Sequence, residues 1–456
     1  MLSLRLSEVA LWTRGTLHGA DAAVCAVATD SRKVGADELF VALKGEHHDG
    51  HEHLAQAAER GASGALVMRK VNSDLPQVVV ADTLLALGDL ASAVRAKRRA
   101  RVVGITGSNG KTTVKTLTAS ILQRHGRTHS NAGNFNNEIG LPLSLLSMPQ
   151  DSEYAVMEMG AGKPGDIAYL AAIARPEVGL VNNIAPAHLE RMRTLEGVAE
   201  TKGALYQALP ADGTAIINAD DAFADFFAGL AGSRRVLRFG FGAKADVRAD
   251  DIVLQPEASA FTLVTPAGSH AVRLPLPGRH NVGNALAAAA IAQALEVPLV
   301  TIVDGLQNAP TVGGRLRKQV APGGWSVIDD SYNANPGSTG AAIATLALQP
   351  GERWLVLGDM AELGSDAATM HAQIGKQAFD AGIEKLFAVG ALSAHAAQAF
   401  GANARHFATQ ADLIAGLRAQ LHAGLSVLVK GSRSAGMEHV VAALLGGDGG
   451  GARHAA

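Results

Sequence analysis

Residues 103–113 read Val103-Gly104-Ile105-Thr106-Gly107-Ser108-Asn109-Gly110-Lys111-Thr112-Thr113, a strand end, a run of small residues and a helix start. The run 101–106 has the composition of a buried strand, and 112–125 has helical spacing closed by Gly126. The small residues between them let the backbone wrap an anion with its N–H groups pointing inward. The helix that follows turns the positive end of its dipole to the same point. A lysine at a helix start is unfavourable unless an anion compensates it, so Lys111 argues for a bound phosphate over a plain tight turn. Lys111 is placed to reach β and γ oxygens, and Thr112 or Thr113 to ligate magnesium. The generic loop pattern has glycine where this chain has Ile105, its glycine standing one place earlier at Gly104.

The rhythm of strand, glycine loop and helix continues outward. Residues 154–158 and 178–182 read as further strands, which predicts a parallel sheet covered by helices on both faces. Residues 235–276 read as an insertion of short strands, and 282–295 as an alanine-rich helix. Before the loop, strands at 39–43 and 64–68 flank a helix at 53–60. After Gly313-Gly314, which reads as a linker, buried strands are expected at 325–329, 354–358, 385–389 and 426–430. The expected fold is α/β in three domains, 1–84, 85–312 and 313–456, as a length of 456 residues suggests at roughly 150 per domain. The glycine-rich tail 446–456 is expected to be disordered.

Composition excludes several classes. A net charge of −2 lacks the basic footprint of a nucleic-acid binder. The single cysteine, Cys25, cannot form an internal disulfide. Arg5, Glu8 and Arg14 break the layout of a signal peptide, and no apolar run approaches the ~18 residues of a membrane span. A soluble, cytoplasmic, monomeric protein is expected.

Several polar residues stand out. Glu158 falls at the end of a strand, where α/β sheets bind ligands, and suits magnesium, the alternative being a solvated loop carboxylate. His188, in an apolar segment, reads by itself as a hydrogen-bonded core residue, and Lys202 as a surface lysine on a helix. Asn281 and Asn284 share a helix face that suits adenine edges, unless Asn281 caps the helix. Lys430 and the turn Gly431-Ser432-Arg433-Ser434 precede a helix, an anion-binding end suited to a carboxylate. His47, His48, His51 and His53 form either a metal cluster or, with Asp49 and Glu52, a solvated loop.

The T-G-S-N-G-K-T-T form resembles the phosphate loop of the Mur ligases, which folylpolyglutamate synthases share, and this accounts for the displaced glycine. Similar segments run from about residue 25 to residue 445. Glu158-Met159-Gly160-Ala161 resembles the family's second strand with its magnesium carboxylate, and residues 182–189 its histidine segment. Lys202 stands where these ligases carry a carbamylated lysine. Residues 278–284 resemble the adenine-contacting segment, Gly314-Arg315 the arginine entering from the third domain, and 329–336 the motif opening that domain. The resemblance implies a small N-terminal uridine-nucleotide domain, a central ATP-binding domain and a Rossmann-like C-terminal domain, with ATP and Mg2+ as cofactors.

It also implies roles. Gly107, Ser108, Asn109, Gly110, Lys111, Thr112 and Thr113 would cradle the phosphates, with Asn281 and Asn284 on adenine, Asp330 on ribose and Tyr332 beside the nucleotide. Arg315 would grip the γ-phosphate with its fork. Thr112, Glu158, His188 and Lys202 would hold metal, and Lys111, Lys202, His188 and Arg315 would carry catalysis. Within the family, Asp30-Ser31-Arg32 and residues 43–46, 357–364 and 429–434 are similar to the branch that adds D-alanyl-D-alanine to UDP-N-acetylmuramoyl-tripeptide through an acyl-phosphate. Those two molecules are therefore the expected partners. Ser31, Arg32 and Lys44 would serve the uridine nucleotide, and Asn333, Asn335, Lys430, Ser432, Arg433 and Ser434 the substrate in the last domain. The Asp-Asn-Pro-Arg motif of the sister ligase that adds the third residue is missing. Another Mur ligase or a folylpolyglutamate synthase is the nearest alternative. A nucleotide-dependent switch is the other, and it leaves Glu158, His188 and Lys202 without a shared purpose.

Overall fold

The computed structural model describes residues 4–186, 189–311 and 313–446, so His188 and the tail 447–456 lie outside the described residues. Three main sheets follow one another along the chain. A five-stranded sheet orders Thr16–His18, Gln77–Val79, Gly64–Val67, Glu38–Val41 and Ala26–Ala28. A nine-stranded sheet has Arg101–Thr106 between Val178–Val181 and Tyr154–Glu158, parallel to both. A six-stranded sheet has Ser426–Lys430 between Ser326–Asp330 and Arg353–Gly358, again parallel to both.

Residues 102–106 are buried, as a strand covered by helices on both faces must be. One cover is the helix Arg279–Ala294, three residues longer at its start than the apolar run suggests. Its alanines at 285, 287–290 and 292 are fully buried, and their small size lets it lie close against the helix Lys111–Leu122 and the sheet. Residues 235–274 form the strand-rich extension of the same sheet, its last two strands antiparallel.

The helix Thr83–Ala96 joins the first sheet to the second. Leu87, Leu90 and Val94 of that helix share one core with Leu39 and Val78 on one side and Val102 and Met157 on the other. At the end of the C-terminal sheet, Asn335 caps the helix Pro336–Leu346: its Oδ1 accepts from the Ser338 amide at 2.9 Å, and Pro336 opens the first turn.

Candidate active site

A set of asparagines frames the phosphate loop. The Asn109 amide donates to Oδ1 of Asn183 at 2.8 Å, and the Asn109 carbonyl accepts from Nδ2 of Asn182 at 2.9 Å and of Asn183 at 3.2 Å. Asn182 also donates to Oδ1 of Asn284 at 3.0 Å. Gly110 holds φ at +79°, and a Cβ there would collide with Asn284 and Asn182, so glycine is what lets these side chains close behind the loop. Asn281 is not the helix cap. That position is Gly278, while Asn281 donates to the Pro277 carbonyl at 2.8 Å and its Oδ1 accepts from Asn284 at 3.1 Å.

Lys111 curls over the loop and donates to the Gly107 carbonyl at 2.7 Å. Burial lowers its pKa, with Arg315 adding to the effect and Glu158 opposing it. Glu158 is no solvated carboxylate, being 2% exposed. Its Oε2 accepts from the Thr112 hydroxyl at 2.9 Å and its Oε1 from Asn136 at 2.8 Å. Burial pushes this carboxyl up, but Lys115, Lys111, the Asn136 bond and Arg315 together hold it below the usual range. A hydroxyl and an ionised carboxylate side by side are the hard oxygen donors that magnesium prefers, so the residues fit that ion.

The C-terminal sheet's loops face this loop directly. Arg315 donates from Nη2 to Thr112 Oγ1 at 3.0 Å, with its guanidinium 4.7 Å from the Tyr332 ring centre. Nδ2 of Asn335 donates to Oδ1 of Asn109 at 2.7 Å. Lys430 is buried, bonding Asp330 Oδ2 at 2.6 Å and the Asn333 carbonyl at 2.9 Å. Burial raises the Asp330 carboxyl against the pull of Lys430. The space between the two faces is a cleft of about 720 Å³. Ser108, Asn109, Gly110, Lys111, Thr113, Glu158, Asn281, Asn284, Arg315, Asp330, Tyr332, Asn333, Asn335 and Lys430 line it. His280, which sequence reasoning passed over inside a segment quoted for other residues, also lines it, and burial lowers its pKa to about 4, leaving the ring neutral.

Lys202 is not a surface lysine. It is 1% exposed on the helix Leu195–Gln207, and its ammonium has no hydrogen-bond or ion-pair partner among the described residues. Burial lowers its pKa to about 7, Lys111 reinforcing this and Asp166 opposing it. The neighbouring Gly203 is where Leu230 and Phe227 pack against the helix, and a Cβ there would collide with Leu230.

Other expected residues stand elsewhere. Ser31 is buried with its hydroxyl 2.7 Å from Gln56 Oε1, Arg32 pairs with Asp30, and exposed Lys44 meets Asp49 through the backbone as an isolated antiparallel β-bridge, all outside the cleft lining. Ser432 to Ser434 do not begin an α-helix. Arg433–Ala435 is a single 3-10 turn, and the helix Glu438–Leu444 starts beyond it with an acidic residue first. Arg433 pairs with that Glu438 at 3.0 Å. In the histidine segment His47, His48, Glu52 and His53 are exposed, as a solvated loop has them, and His51 is the exception. His51 is buried, bonded to Asp49 through Nδ1, and accepts the Met68 amide on Nε2 at 2.8 Å. Among the described residues no group of three or more His, Cys, Asp or Glu is placed to hold a metal.

A phosphate loop facing cationic and asparagine side chains of a second sheet defines a nucleotide-using enzyme whose site is shared between domains. The chain belongs to the Mur ligase family: it matches the Mur ligase family catalytic domain over residues 24–103, the Mur ligase middle domain over 105–292, and the Mur ligase glutamate ligase domain over 314–433. It is 46% identical to the UDP-N-acetylmuramoyl-tripeptide--D-alanyl-D-alanine ligase of Escherichia coli K12, over 97% of this chain and 99% of that one. It superposes on a crystal structure of MurF from Acinetobacter baumannii with a TM-score of 0.93 at 37% identity, covering 98% and 99% of the two chains. The MurF ligase of Thermotoga maritima in complex with ADP gives 0.83 at 28% identity, over 92% and 97%. No helix among the described residues is long and apolar enough to cross a membrane.

Proposed function

We propose that this chain joins D-alanyl-D-alanine to UDP-N-acetylmuramoyl-tripeptide at the expense of ATP, giving ADP, phosphate and the pentapeptide precursor of peptidoglycan. The observation that carries the reading is the approach of Arg315 to Thr112 and of Asn335 to Asn109, which makes one cleft from the phosphate loop and the last domain. Likeness over almost the whole chain to relatives bearing that activity in their names supports the choice of substrates.

Amide formation from a carboxylate needs activation. The γ-phosphoryl passes to the tripeptide's terminal carboxylate and ADP leaves. The amine of D-alanyl-D-alanine then attacks the acyl carbon, loses its proton, and expels phosphate. The loop amides and the dipole of the helix Lys111–Leu122 hold the phosphates in line, Lys111 leaves the Gly107 carbonyl to follow the moving charge, and Arg315 supplies a second cation from the opposite wall. Magnesium, when held by Thr112 and Glu158, screens the charge that the phosphates share. Lys202, whose buried amine is partly neutral near pH 7, is suited to take up CO₂ as a carbamate and so supply an anion to the metal, a ligand role that His188 would share. Asn281 and Asn284 serve adenine, Asp330 and Tyr332 the nucleotide's sugar side, and Ser31, Arg32 and Lys44 the uridine end of the substrate. Asn333, Lys430, Ser432, Arg433 and Ser434 serve the dipeptide. Every residue of this scheme comes from one chain, which acts as a cytoplasmic monomer.

The test is Lys111→Ala, measured by phosphate release beside a thermal melt. Turnover is expected to fall by at least about 1000-fold with the melt unchanged. Near-normal activity would refute the loop's role.

A further inference from the structure

Lys115 lies one helical turn beyond Lys111 and is 6% exposed. Its ammonium is fully engaged. It donates to the carbonyls of Asn131 at 2.9 Å and Gly133 at 3.1 Å, and it pairs with Glu158 Oε2 at 3.4 Å. Two of its donors are used on those carbonyls and its charge faces Glu158, which turns it toward the loop and the carboxylate. Asn131, 2% exposed, continues the strap. Its Nδ2 donates to the carbonyls of Phe135 at 2.8 Å and Glu158 at 3.0 Å, and its Oδ1 accepts from the Glu158 amide at 3.0 Å. The loop's own Asn136 grips the other carboxylate oxygen, and its carbonyl accepts from the Gly160 amide at 2.7 Å. Residues 131–137 have no helix or strand to hold them, yet they bond the amide, the carbonyl and one carboxylate oxygen of Glu158. The outer part of the same loop presents Asn136, Asn137 and Glu138 to the cleft.

A buried ion pair is a poor source of net stability, because desolvation offsets the attraction, and a pair of well-packed apolar side chains would fill this space at less cost. What the pair secures is geometry. We infer that Lys115 is a positioning residue: acting through Glu158 and the 131–138 loop, it sets both the direction of that carboxylate and the wall of the cleft. Its kinetic consequence rests on the proposed ligase function, whereas its effect on the loop does not.

The test is Lys115→Met, followed first by hydrogen exchange in the absence of nucleotide. Amides of residues 132–138 and those of Glu158 and Gly160, which Asn131 and Asn136 hold, are expected to exchange about ten-fold faster, with Arg101–Thr106 unchanged. In phosphate release kcat is expected to fall about 100-fold while KM for ATP stays within about three-fold. In a Glu158→Gln background the same change is expected to cost less than about three-fold more, because the residue it acts through is already disabled. Unchanged loop exchange would overturn the inference. So would a rise in KM for ATP with kcat kept, or a full additive loss in the Glu158→Gln background. Should the methionine variant not fold, Lys115→Gln, which keeps a donor for the two carbonyls but no charge, takes its place with the same outcomes deciding. If the ligase reading fails, the kinetic arm vanishes and the exchange arm still decides whether Lys115 holds the loop.

Discussion

Asn335 does two things with one amide: its Oδ1 starts the helix Pro336–Leu346, and its Nδ2 reaches Oδ1 of Asn109 in a phosphate loop 226 residues away. The cap rigidifies the donor, so the contact registers the last domain on the loop. Aspartate keeps a capping oxygen but turns the donor into an acceptor facing an acceptor. Asn335→Asp is expected to leave the melting temperature within a few degrees and lower kcat by about ten-fold. Asn335→Ala should lose both, with about 1 kcal/mol of stability gone through the cap. Phosphate release beside a thermal melt separates the two effects. Full activity in the aspartate variant would show that closure does not use this bond.

Lys430→Met leaves Asp330 buried with, among the described residues, the Leu316 amide as its one hydrogen-bond donor and the Arg315 charge further off. Removing one member of a buried pair costs about 3–5 kcal/mol, much of it from the charge left behind. The single variant is expected to unfold at clearly lower urea, and the Asp330→Asn, Lys430→Met double variant to recover more than half of the loss. In the folded fraction KM for D-alanyl-D-alanine should rise more than KM for ATP. Additive losses in the double variant would contradict the pairing, and equal KM effects would assign Lys430 to the nucleotide.

Lys202 makes a prediction of opposite sign for charge and carboxylate. If a carbamate is the working form, Lys202→Arg keeps the charge but cannot carry the modification. Lys202→Arg and Lys202→Ala should both be nearly inactive, at least about 100-fold down, and a short added carboxylic acid should partly restore the alanine variant alone. Activity in the arginine variant would refute the role.

The fold was legible because its signals are local. The 101–113 stretch fixes a strand, a loop and a helix in one reading, and buried strands such as Arg353–Gly358 announce themselves as apolar runs. The candidate site was legible where residue type and chemistry coincide, as at Lys111 and Glu158, and where a resemblance supplied the residue, as at Arg315, all three of which line the cleft. Lys115 escaped because a lysine four places along a helix looks like a solvated face, and only the return of the 131–137 loop buries it. The same holds for Asn182 and Asn183, whose bonds run to a loop more than 70 residues earlier. His51 misled for the converse reason: its neighbours in sequence are exposed, while its partner, the Met68 amide, comes from beyond the next strand.

The central claim is that one cleft couples ATP to a particular amide bond. The most direct measurement is phosphate release, with mass analysis of the product, from the purified chain given ATP, magnesium, UDP-N-acetylmuramoyl-tripeptide and a panel of amines. Release should require both the tripeptide nucleotide and D-alanyl-D-alanine, and the product should be the pentapeptide nucleotide with one phosphate formed per bond. Steady ATP hydrolysis with neither substrate present, or product formed with a different amine in place of D-alanyl-D-alanine, would contradict it.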